Sequence, residues 1–407
     1  MGQAFNGLWA AFVASTVGTW LGFGAFPLIA IQVLGAGPAA VSALAATGLA
    51  AGALLALPLG PWAERHRRRP VMIATDIVRF GALLSIPVGY GLGLLSYTHL
   101  VVVSVIGAAA NIAFTAASGA YLKSVVAPDQ LLPANARFES TAWTAIALGP
   151  ALGGAAVSLL GPVVTIYANA AGFLLSGLAL AAIRVRETPV RTRPVERLRA
   201  AALADGWRFI NADRRLRDLF RNTVVVNALI MATEPLLAVL LLRDLGWPAW
   251  QYGLAFSVPC VGGLLGARLA TRLEARHGRA RVLAVAGVLR VVSPLGLVLA
   301  TPGPIGFGLV VVVEFVVITG MGLFNPLLAT ERLQRVPDDR IGRVLTAWTV
   351  TTTGAIAVVT ALWGVLAALT SPRTAIGIAG VLLLFTPLLL PDSDRARRPR
   401  PSAGPVT

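Results

Sequence analysis

Two glutamates stand inside long apolar runs of this 407-residue chain. Glu314 lies in the segment VVVVEFVVITGMG, with no basic residue near it in the sequence. Glu234 ends a polar series that begins with Thr223 and Asn227. Apolar surroundings disfavour the charged form of a carboxyl, and a group that can be either neutral or charged suits reversible proton binding. We therefore predict that Glu314 and Glu234 carry protons.

Uncharged polar side chains recur at helical spacing in several of these runs. Residues three, four or seven positions apart lie on one face of a helix. Four apolar runs have a polar face of this kind. Their polar residues are Thr19 in the first run, Asn111 and Thr115 in the second, Asn227 in the third, and Asn325, on the face of Glu314, in the fourth.

Three further charges fall within apolar runs, and their spacing favours ion pairing. Asp76 and Arg79 are one helical turn apart and can pair with each other. Arg290 has Gly287 where a matching aspartate would stand, so its partner must come from elsewhere in the chain. We predict that these charges hold the cytoplasmic halves of the protein together, and contact with the substrate is the alternative role.

Residues for other kinds of chemistry are scarce. The single cysteine, Cys260, stands in an apolar run, and the histidines are only His66, His99 and His277. The phosphate-binding pattern G-x-x-x-x-G-K-[ST] is absent, which argues against an ATP-driven pump. We therefore predict no metal, no cofactor and no enzymatic activity.

The composition indicates which elements position these residues. Of the residues, 56% are hydrophobic and 13% are charged, whereas soluble domains carry about 25% charged residues. The mean hydropathy is +0.76. A membrane-spanning helix needs about 20 apolar residues, and backbone groups in lipid must be satisfied within the helix. We predict an all-α integral membrane protein whose spans 1 to 12 cover 8–34, 38–62, 71–95, 99–122, 138–160, 162–183, 219–242, 249–272, 281–300, 304–328, 342–368 and 373–390.

The positions of the arginines indicate the orientation of these spans. A net charge of +16 on a soluble protein would suggest a nucleic-acid partner. With both termini inside the cell, only Arg243 and Arg373 fall in outward connections, and Arg79 and Arg290 fall within spans. The other basic residues then face the cytoplasm, which satisfies the positive-inside rule. We expect a multi-pass protein of a bacterial plasma membrane with cytoplasmic termini and no nucleic-acid partner.

The longest break between spans, at 184–218, divides the chain into two bundles of six spans. It is rich in arginine and is predicted to be a cytoplasmic linker with a surface helix. The N-terminal bundle covers 1–183 and the C-terminal bundle 219–390. The Pro-, Arg- and Ser-rich segment 391–407 is predicted to be a disordered cytoplasmic tail.

The two bundles share a weak sequence repeat. The segment LAAGALLALPLGPWAERHRRRPV is matched by CVGGLLGARLATRLEARHGRARV, and His66 pairs with His277 at an offset of 211. Arg79 pairs with Arg290 at the same offset. Internal symmetry of this kind is typical of transporters built from parallel six-helix repeats.

Two motifs connect the chain with a known family. Residues 60–69 read GPWAERHRRR, close to the pattern G-x-x-x-D-R-x-G-R-R, with Glu64 in place of aspartate and Arg67 in place of glycine. Residues 149–154 in span 5 read GPALGG, which is similar to the antiporter motif of exporters. The chain thus resembles the major facilitator superfamily, in its twelve-span drug–proton antiporter branch with the macrolide-efflux and enterobactin-exporter proteins.

The resemblance implies roles for three groups of residues. In the family, the acidic residue of the first motif latches one conformation across the two halves. This implies a gating latch formed by Glu64, Arg65, Arg68, Arg69, Asp76, Arg79 and Arg290. The antiporter motif implies a tight pivot at Gly149, Pro150, Gly153 and Gly154. Spans 1, 4, 7 and 10 line the family's central cavity, which implies a cavity wall containing Thr19, Asn111, Thr115, Asn227 and Asn325.

The resemblance also implies a function. We expect a monomeric, proton-coupled secondary transporter that exports a small hydrophobic or amphiphilic compound by alternating access and contributes to antibiotic resistance. The compound would be an antibiotic, a drug or a siderophore, and the other partners would be protons and the lipid bilayer. An uptake symporter and a lysolipid flippase are alternatives on the same scaffold. An intramembrane enzyme would need Asp, His and Lys clustered at a membrane face, and the sequence shows no such cluster. The latch motif at 60–69 and the antiporter motif at 149–154 argue against a non-transporting receptor.

Overall fold

Twelve helical spans dominate the computed structural model, which describes residues 2–127, 130–183, 200–337 and 340–391. Spans 1 to 6 are Gln3–Val33, Pro38–Arg65, Arg68–Gly91, Tyr97–Val125, Leu131–Leu160 and Pro162–Ala181. Spans 7 to 12 are Arg214–Asp244, Ala249–His277, Arg279–Leu299, Pro304–Arg335, Ile341–Leu369 and Pro372–Leu389. The described residues contain no strand, and the predicted all-α membrane fold is confirmed.

Glycine and proline interrupt several spans that hydropathy predicts as single runs. Span 1 breaks at residues 22–24, where Gly24 has a φ of 75°. This left-handed conformation is open to glycine because it has no Cβ. Span 8 consists of Ala249–Ser257 and Cys260–His277, and Pro259 at the break lacks the N–H that would continue the helix.

The repeat seen in the sequence recurs in the backbone. Span 1 ends in a π-helical turn at Ile29–Val33, and span 7 ends in a π-helical turn at Leu240–Asp244. The two turns are 211 positions apart, the same offset that relates Arg79 to Arg290. The pseudo-symmetry of the two bundles therefore extends to an irregular feature of the helices.

Part of the predicted linker forms a helix at Ala200–Ala212, which we call the connecting helix. It packs on span 11, where Trp207 Nε1 donates a hydrogen bond to Thr351 Oγ1 at 2.9 Å and Ile210 is fully buried. Span 7 begins at Arg214, five residues before the predicted start of the C-terminal bundle. The predicted linker residues 184–199 and tail residues 392–407 lie outside the described residues.

The two bundles share one hydrophobic core at one end of the molecule only. We call the end that holds residues 2 and 391 the basic end and the opposite end the far end. At the far end a single core cluster contains residues of both bundles, among them Leu28, Val41, Leu241 and Ala375. Spans 2 and 11 pack against each other there, and so do spans 5 and 8.

At the basic end each bundle has a core of its own. One cluster, around Phe5, Met72 and Phe114, belongs to spans of the N-terminal bundle. The other, around Leu219 and Phe324, belongs to the C-terminal bundle and the connecting helix. The bundles are thus joined at the far end and separate towards the basic end, so the cleft between them opens towards the basic end.

Candidate functional site

The structure brings Glu234 of span 7 and Glu314 of span 10 together, although 80 residues separate them in the sequence. Their charges interact with each other and with the hydroxyl of Tyr252 in span 8. Among the described residues neither carboxyl has a hydrogen bond or an ion pair with a basic side chain. We call these two residues the acid pair.

Aromatic rings connect the acid pair to the N-terminal bundle. Tyr252 stacks on Phe23 of span 1 at a centroid distance of 6.0 Å and lies 5.0 Å from Phe256. Phe23 in turn stacks on Trp20 at 5.8 Å. Such pairs contribute roughly 0.5–1.5 kcal/mol each beyond the area they bury. The cluster therefore helps to hold spans 1 and 8 together above the cleft.

The predicted pivot in span 5 is the point where spans 1, 5 and 8 meet. A Cβ on Gly149 would overlap the side chain of Trp20, and one on Gly153 would lie 2.8 Å from the Trp20 carbonyl oxygen. A Cβ on Gly154 would lie 2.5 Å from the carbonyl oxygen of Ala249 in span 8. Small residues let helix backbones approach closely. The motif thus joins the two bundles at the far end.

Pro150 leaves one backbone carbonyl of span 5 without its helical hydrogen bond, and span 8 contacts this carbonyl. Because proline has no N–H, the carbonyl oxygen of Ile146 lacks its usual helical donor. The thiol of Cys260 in span 8 lies 3.6 Å from that oxygen. The next backbone N–H, that of Ala151, donates to Ser257 Oγ at 2.8 Å. Spans 5 and 8 are therefore linked by polar contacts as well as by close packing.

Two chambers of the N-terminal bundle share part of their walls. The distal chamber, nearer the far end, has a volume of about 420 Å³ between spans 1, 2, 3, 4 and 6, and Pro235 of span 7 forms part of its wall. The proximal chamber, nearer the basic end, has a volume of about 370 Å³ between spans 1, 3, 4, 5 and 6. Four residues belong to both walls: Thr19, Arg79, Asn111 and Phe173.

Arg79 is the charged residue in this shared wall. Its Nη2 lies 3.1 Å from Asp76 Oδ1, as the helical spacing predicts, and Asp76 Oδ2 accepts a hydrogen bond from Ser176 Oγ at 2.6 Å. The guanidinium carbon lies 4.6 Å from the ring centroid of Phe114 and 4.5 Å from that of Phe173. Asp76 is fully buried and Arg79 is 7% exposed.

Arg290 occupies the corresponding place in the C-terminal bundle. It is fully buried, donates to the side-chain oxygen of Asn222, and lies 3.6 Å above the ring of Phe324. Asn222 donates in turn to the carbonyl oxygen of Thr386 at 2.9 Å. The partner that the sequence left open for Arg290 is thus an amide, not a carboxylate.

Arg69 binds the end of a neighbouring helix. Its Nε donates to the carbonyl oxygen of Leu180 at 2.8 Å and its Nη2 to that of Ala181 at 2.6 Å. These are carbonyls of the last turn of span 6, where a cation is favoured by the helix dipole. Arg69 therefore joins the start of span 3 to the end of span 6.

The described contacts of Asp76, Arg79 and Arg290 do not join the two bundles. The side chains of Glu64 and Arg65 lie outside the described part of the structure, and Arg68 is half-buried at the start of span 3. Asp76 and Arg79 contact residues of the N-terminal bundle, and Arg290 contacts residues of the C-terminal bundle. The gating latch therefore stays a prediction.

The polar residues predicted for the cavity have different positions. Thr19 and Asn111 line both chambers, and Thr115 lines the proximal chamber. Asn227 of span 7 is half-buried and Asn325 of span 10 is exposed, and both lie outside the walls of the two chambers.

Sequence reasoning missed several residues of these sites. Tyr252 belongs to no helical series of polar residues, so no pattern marked it. Asn169 belongs to the series Thr165, Asn169 and Ser176, spaced by four and seven positions, and this series could have marked it. Glu331 had a signal, because it is an acid among arginines at the end of span 10. It is 6% exposed, forms an ion pair with Arg215, whose Nε lies 2.8 Å from Glu331 Oε1, and accepts a hydrogen bond from Arg335 Nε at 2.7 Å.

Asp213 extends this ion-pair network just before span 7. Its carboxylate accepts the Leu216 N–H at 3.0 Å and pairs with Arg335 at 3.1 Å. Partial burial alone would raise the pKa of Asp213, but the Leu216 N–H and Arg335 outweigh that effect and hold the pKa below its usual value. Asp213 thus stabilises the fold at neutral pH, and this contribution is lost as the pH falls through its lowered pKa.

Replacing Glu331 by Gln is expected to lower the free energy of unfolding by about 2 kcal/mol, because this buried acid then no longer offers a charged acceptor to its partly exposed arginine partners. The measurement is the thermal unfolding midpoint in detergent. Asp205→Asn is the control, since Asp205 is half exposed and its pairs with Arg208 and Arg343 are 3.6 and 3.5 Å long. Exposed pairs contribute about 0–1 kcal/mol. Equal Tm values for the two variants would contradict a stabilising role of Glu331.

Comparison with known proteins decides the family. The sequence matches the Major Facilitator Superfamily over residues 8–360 and, in an overlapping match, 235–406. The chain belongs to this superfamily. It is therefore a membrane transporter and not an enzyme, and the predicted family is confirmed.

Similar proteins support the same assignment. The chain is 28% identical over 348 residues to the multidrug efflux pump Tap of Mycobacterium tuberculosis, covering 84% of this chain and 82% of that protein. It is 27% identical over 320 residues to Tap of Mycolicibacterium fortuitum, covering 73% and 76%.

Solved structures share the fold. A crystal structure of the nucleoside transporter NupG has a TM-score of 0.72 at 14% identity, covering 95% of this chain and 98% of that one. A bacterial homologue of the iron transporter ferroportin, in its inward-facing state, has a TM-score of 0.73 at 17% identity, covering 94% and 98%.

Proposed function

We propose that this transporter is a proton-coupled exporter of small hydrophobic or amphiphilic compounds. The observation that carries the proposal is the acid pair, Glu234 and Glu314, two carboxyls without a basic partner among the described residues. Neighbouring carboxylates repel each other when both are charged, and a carboxyl that can be neutral or charged suits reversible proton binding. A substrate or a conformational change that alters those surroundings is thereby coupled to proton movement.

The open cleft supports a cycle of alternating access. In this orientation the basic end faces the cytoplasm, as the positive-inside rule requires, and substrate enters from there or from the inner leaflet. Opening the far end requires spans 5 and 8, and spans 2 and 11, to separate. Protons from outside then bind the acid pair. Because they bind the state described here more tightly than the outward-open state, they return the transporter to it.

The proposed substrates follow from the relatives and from the cavity walls. The efflux pumps named Tap are described as multidrug pumps, and the chambers here are mostly apolar with a few polar groups. Cavities of about 300–1,000 Å³ accommodate drug-sized molecules. We propose drugs, antibiotics or siderophores as substrates, with antibiotic resistance as the cellular result. The proposed working unit is a monomer in a bacterial plasma membrane.

Transport into proteoliposomes with an imposed pH gradient tests this proposal. Ethidium, a planar fluorescent cation, is added outside vesicles whose interior is either more acidic or more alkaline than the medium. Proton antiport predicts that ethidium accumulates when the interior is acidic, because protons leave as the dye enters. Accumulation only when the medium is acidic would identify an uptake symporter. Movement of a fluorescent lysolipid in the absence of dye transport would identify a flippase.

A further inference from the structure

The distal chamber is lined mainly by apolar side chains, but two buried polar atoms in its wall lack hydrogen-bond partners. Arg79 is 7% exposed and Asn169 is 8% exposed, and both line this chamber. Within the described residues, Arg79 Nε and Asn169 Oδ1 have no hydrogen-bond partner. A buried polar atom without a hydrogen-bond partner is unfavourable, so a molecule that bonds to both atoms relieves this cost on binding.

The charge of Arg79 is already balanced, which limits the kind of ligand it would hold. Its ion pair with Asp76 makes the site close to neutral overall. The two flanking rings, Phe114 and Phe173, cover the guanidinium and leave its Nε–H as an unpaired donor. A neutral acceptor such as a carbonyl suits this donor, and a full negative charge is not required.

The distal chamber lies next to the acid pair. Pro235, which follows Glu234 in the chain, forms part of the wall of the distal chamber. On the other side, the shared wall at Arg79 separates the distal chamber from the proximal chamber. A molecule in the distal chamber would therefore touch span 7 of the other bundle next to the acid pair.

We propose that the distal chamber is a substrate pocket for flat, drug-sized, largely apolar compounds that carry a carbonyl next to a hydroxyl or amide donor. The carbonyl accepts a hydrogen bond from Arg79 Nε, and the neighbouring donor binds Asn169 Oδ1. The apolar body fills the space lined by residues such as Val41, Leu44 and Val103. This inference rests on the proposed export of such compounds and names the recognition chemistry.

Two fluorescent dyes of similar shape test the recognition chemistry. Daunorubicin is planar and carries ring carbonyls beside hydroxyls, whereas ethidium is planar and has no carbonyl. Binding of each dye to the full-length protein in lipid nanodiscs is measured by fluorescence polarisation. Asn169→Leu keeps the side-chain size and removes the acceptor, so we expect about tenfold weaker daunorubicin binding and unchanged ethidium binding. Equal effects on both dyes, or none, would overturn the proposed chemistry.

A space-filling variant tests the position of the pocket. Gly107 lines the distal chamber, and a Cβ there would have open space around it, so Gly107→Leu fills the chamber without a backbone clash. We expect daunorubicin binding to weaken at least about tenfold, since the ligand loses its space. Gly81→Leu is the matched control, because Gly81 also has open space and lies outside both chamber walls.

Binding and transport results separate this inference from the proposed function. Unchanged daunorubicin binding in Gly107→Leu, or no binding by the unmodified protein, would overturn the pocket. If Gly107→Leu still exports daunorubicin in a proton-coupled way at the normal rate, the proposed pocket is overturned and the export function stays in place. Binding that is lost in Gly107→Leu, without proton-coupled transport in the unmodified protein, would support the pocket and contradict the coupling.

Discussion

Glu314→Gln is expected to abolish transport driven by a pH gradient, down to the level of vesicles without protein. Glutamine keeps the size and the polar end of the side chain but cannot take up and release a proton. The acid pair then has one titratable group left, Glu234, and the repulsion between two carboxylates that favours proton uptake is lost. The measurement is ethidium accumulation in proteoliposomes with an acidic interior.

Exchange of dye across the membrane without a gradient separates coupling from folding. Glu314→Gln should retain this exchange, because the helices and chambers are unchanged and the carrier still rocks between its two states. Glu139→Gln is the control, since Glu139 is exposed at the start of span 5 and belongs to no carboxyl pair described here. Gradient-driven accumulation that persists at the normal level in Glu314→Gln would remove this residue from the coupling mechanism.

Gly253→Ala is expected to open the far end and stop transport. A Cβ at this position would overlap the carbonyl oxygen of Pro150 and lie 3.2 Å from Gly154 Cα, so spans 5 and 8 could not approach as they do here. Forcing extra atoms into a packed site costs roughly 1–3 kcal/mol, and backbone atoms are poorly able to move aside. The state closed at the far end therefore loses population, and gradient-driven transport falls close to background.

The single cysteine reports on this change directly. Cys260 is half-buried and its thiol contacts the Ile146 carbonyl across the junction of spans 5 and 8. In Gly253→Ala, labelling of Cys260 by a membrane-impermeant maleimide from the far side should become several-fold faster. Gly52→Ala is the control, because a Cβ there meets no atom within 4 Å. Normal labelling and normal transport in Gly253→Ala would show that this close packing is not needed for closure.

The sequence by itself determined the membrane class, the number of spans and the family. Hydropathy is a local property, so runs of apolar residues identify spans without knowledge of their neighbours. The one-turn spacing of Asp76 and Arg79 was also enough to predict their ion pair, which the structure contains. The antiporter motif could be read from its glycines, because close backbone approach needs residues without side chains.

Only the tertiary structure decided which distant residues meet. Glu234 and Glu314 each looked like an isolated acid, and their pairing depends on how spans 7, 8 and 10 pack. The same holds for Arg290, whose amide partner Asn222 lies on another span, and for the open chamber beside Arg79. Helix periodicity fixes the face on which a residue lies, but the neighbour of that face is set by side-chain volumes and crossing angles along the whole interface.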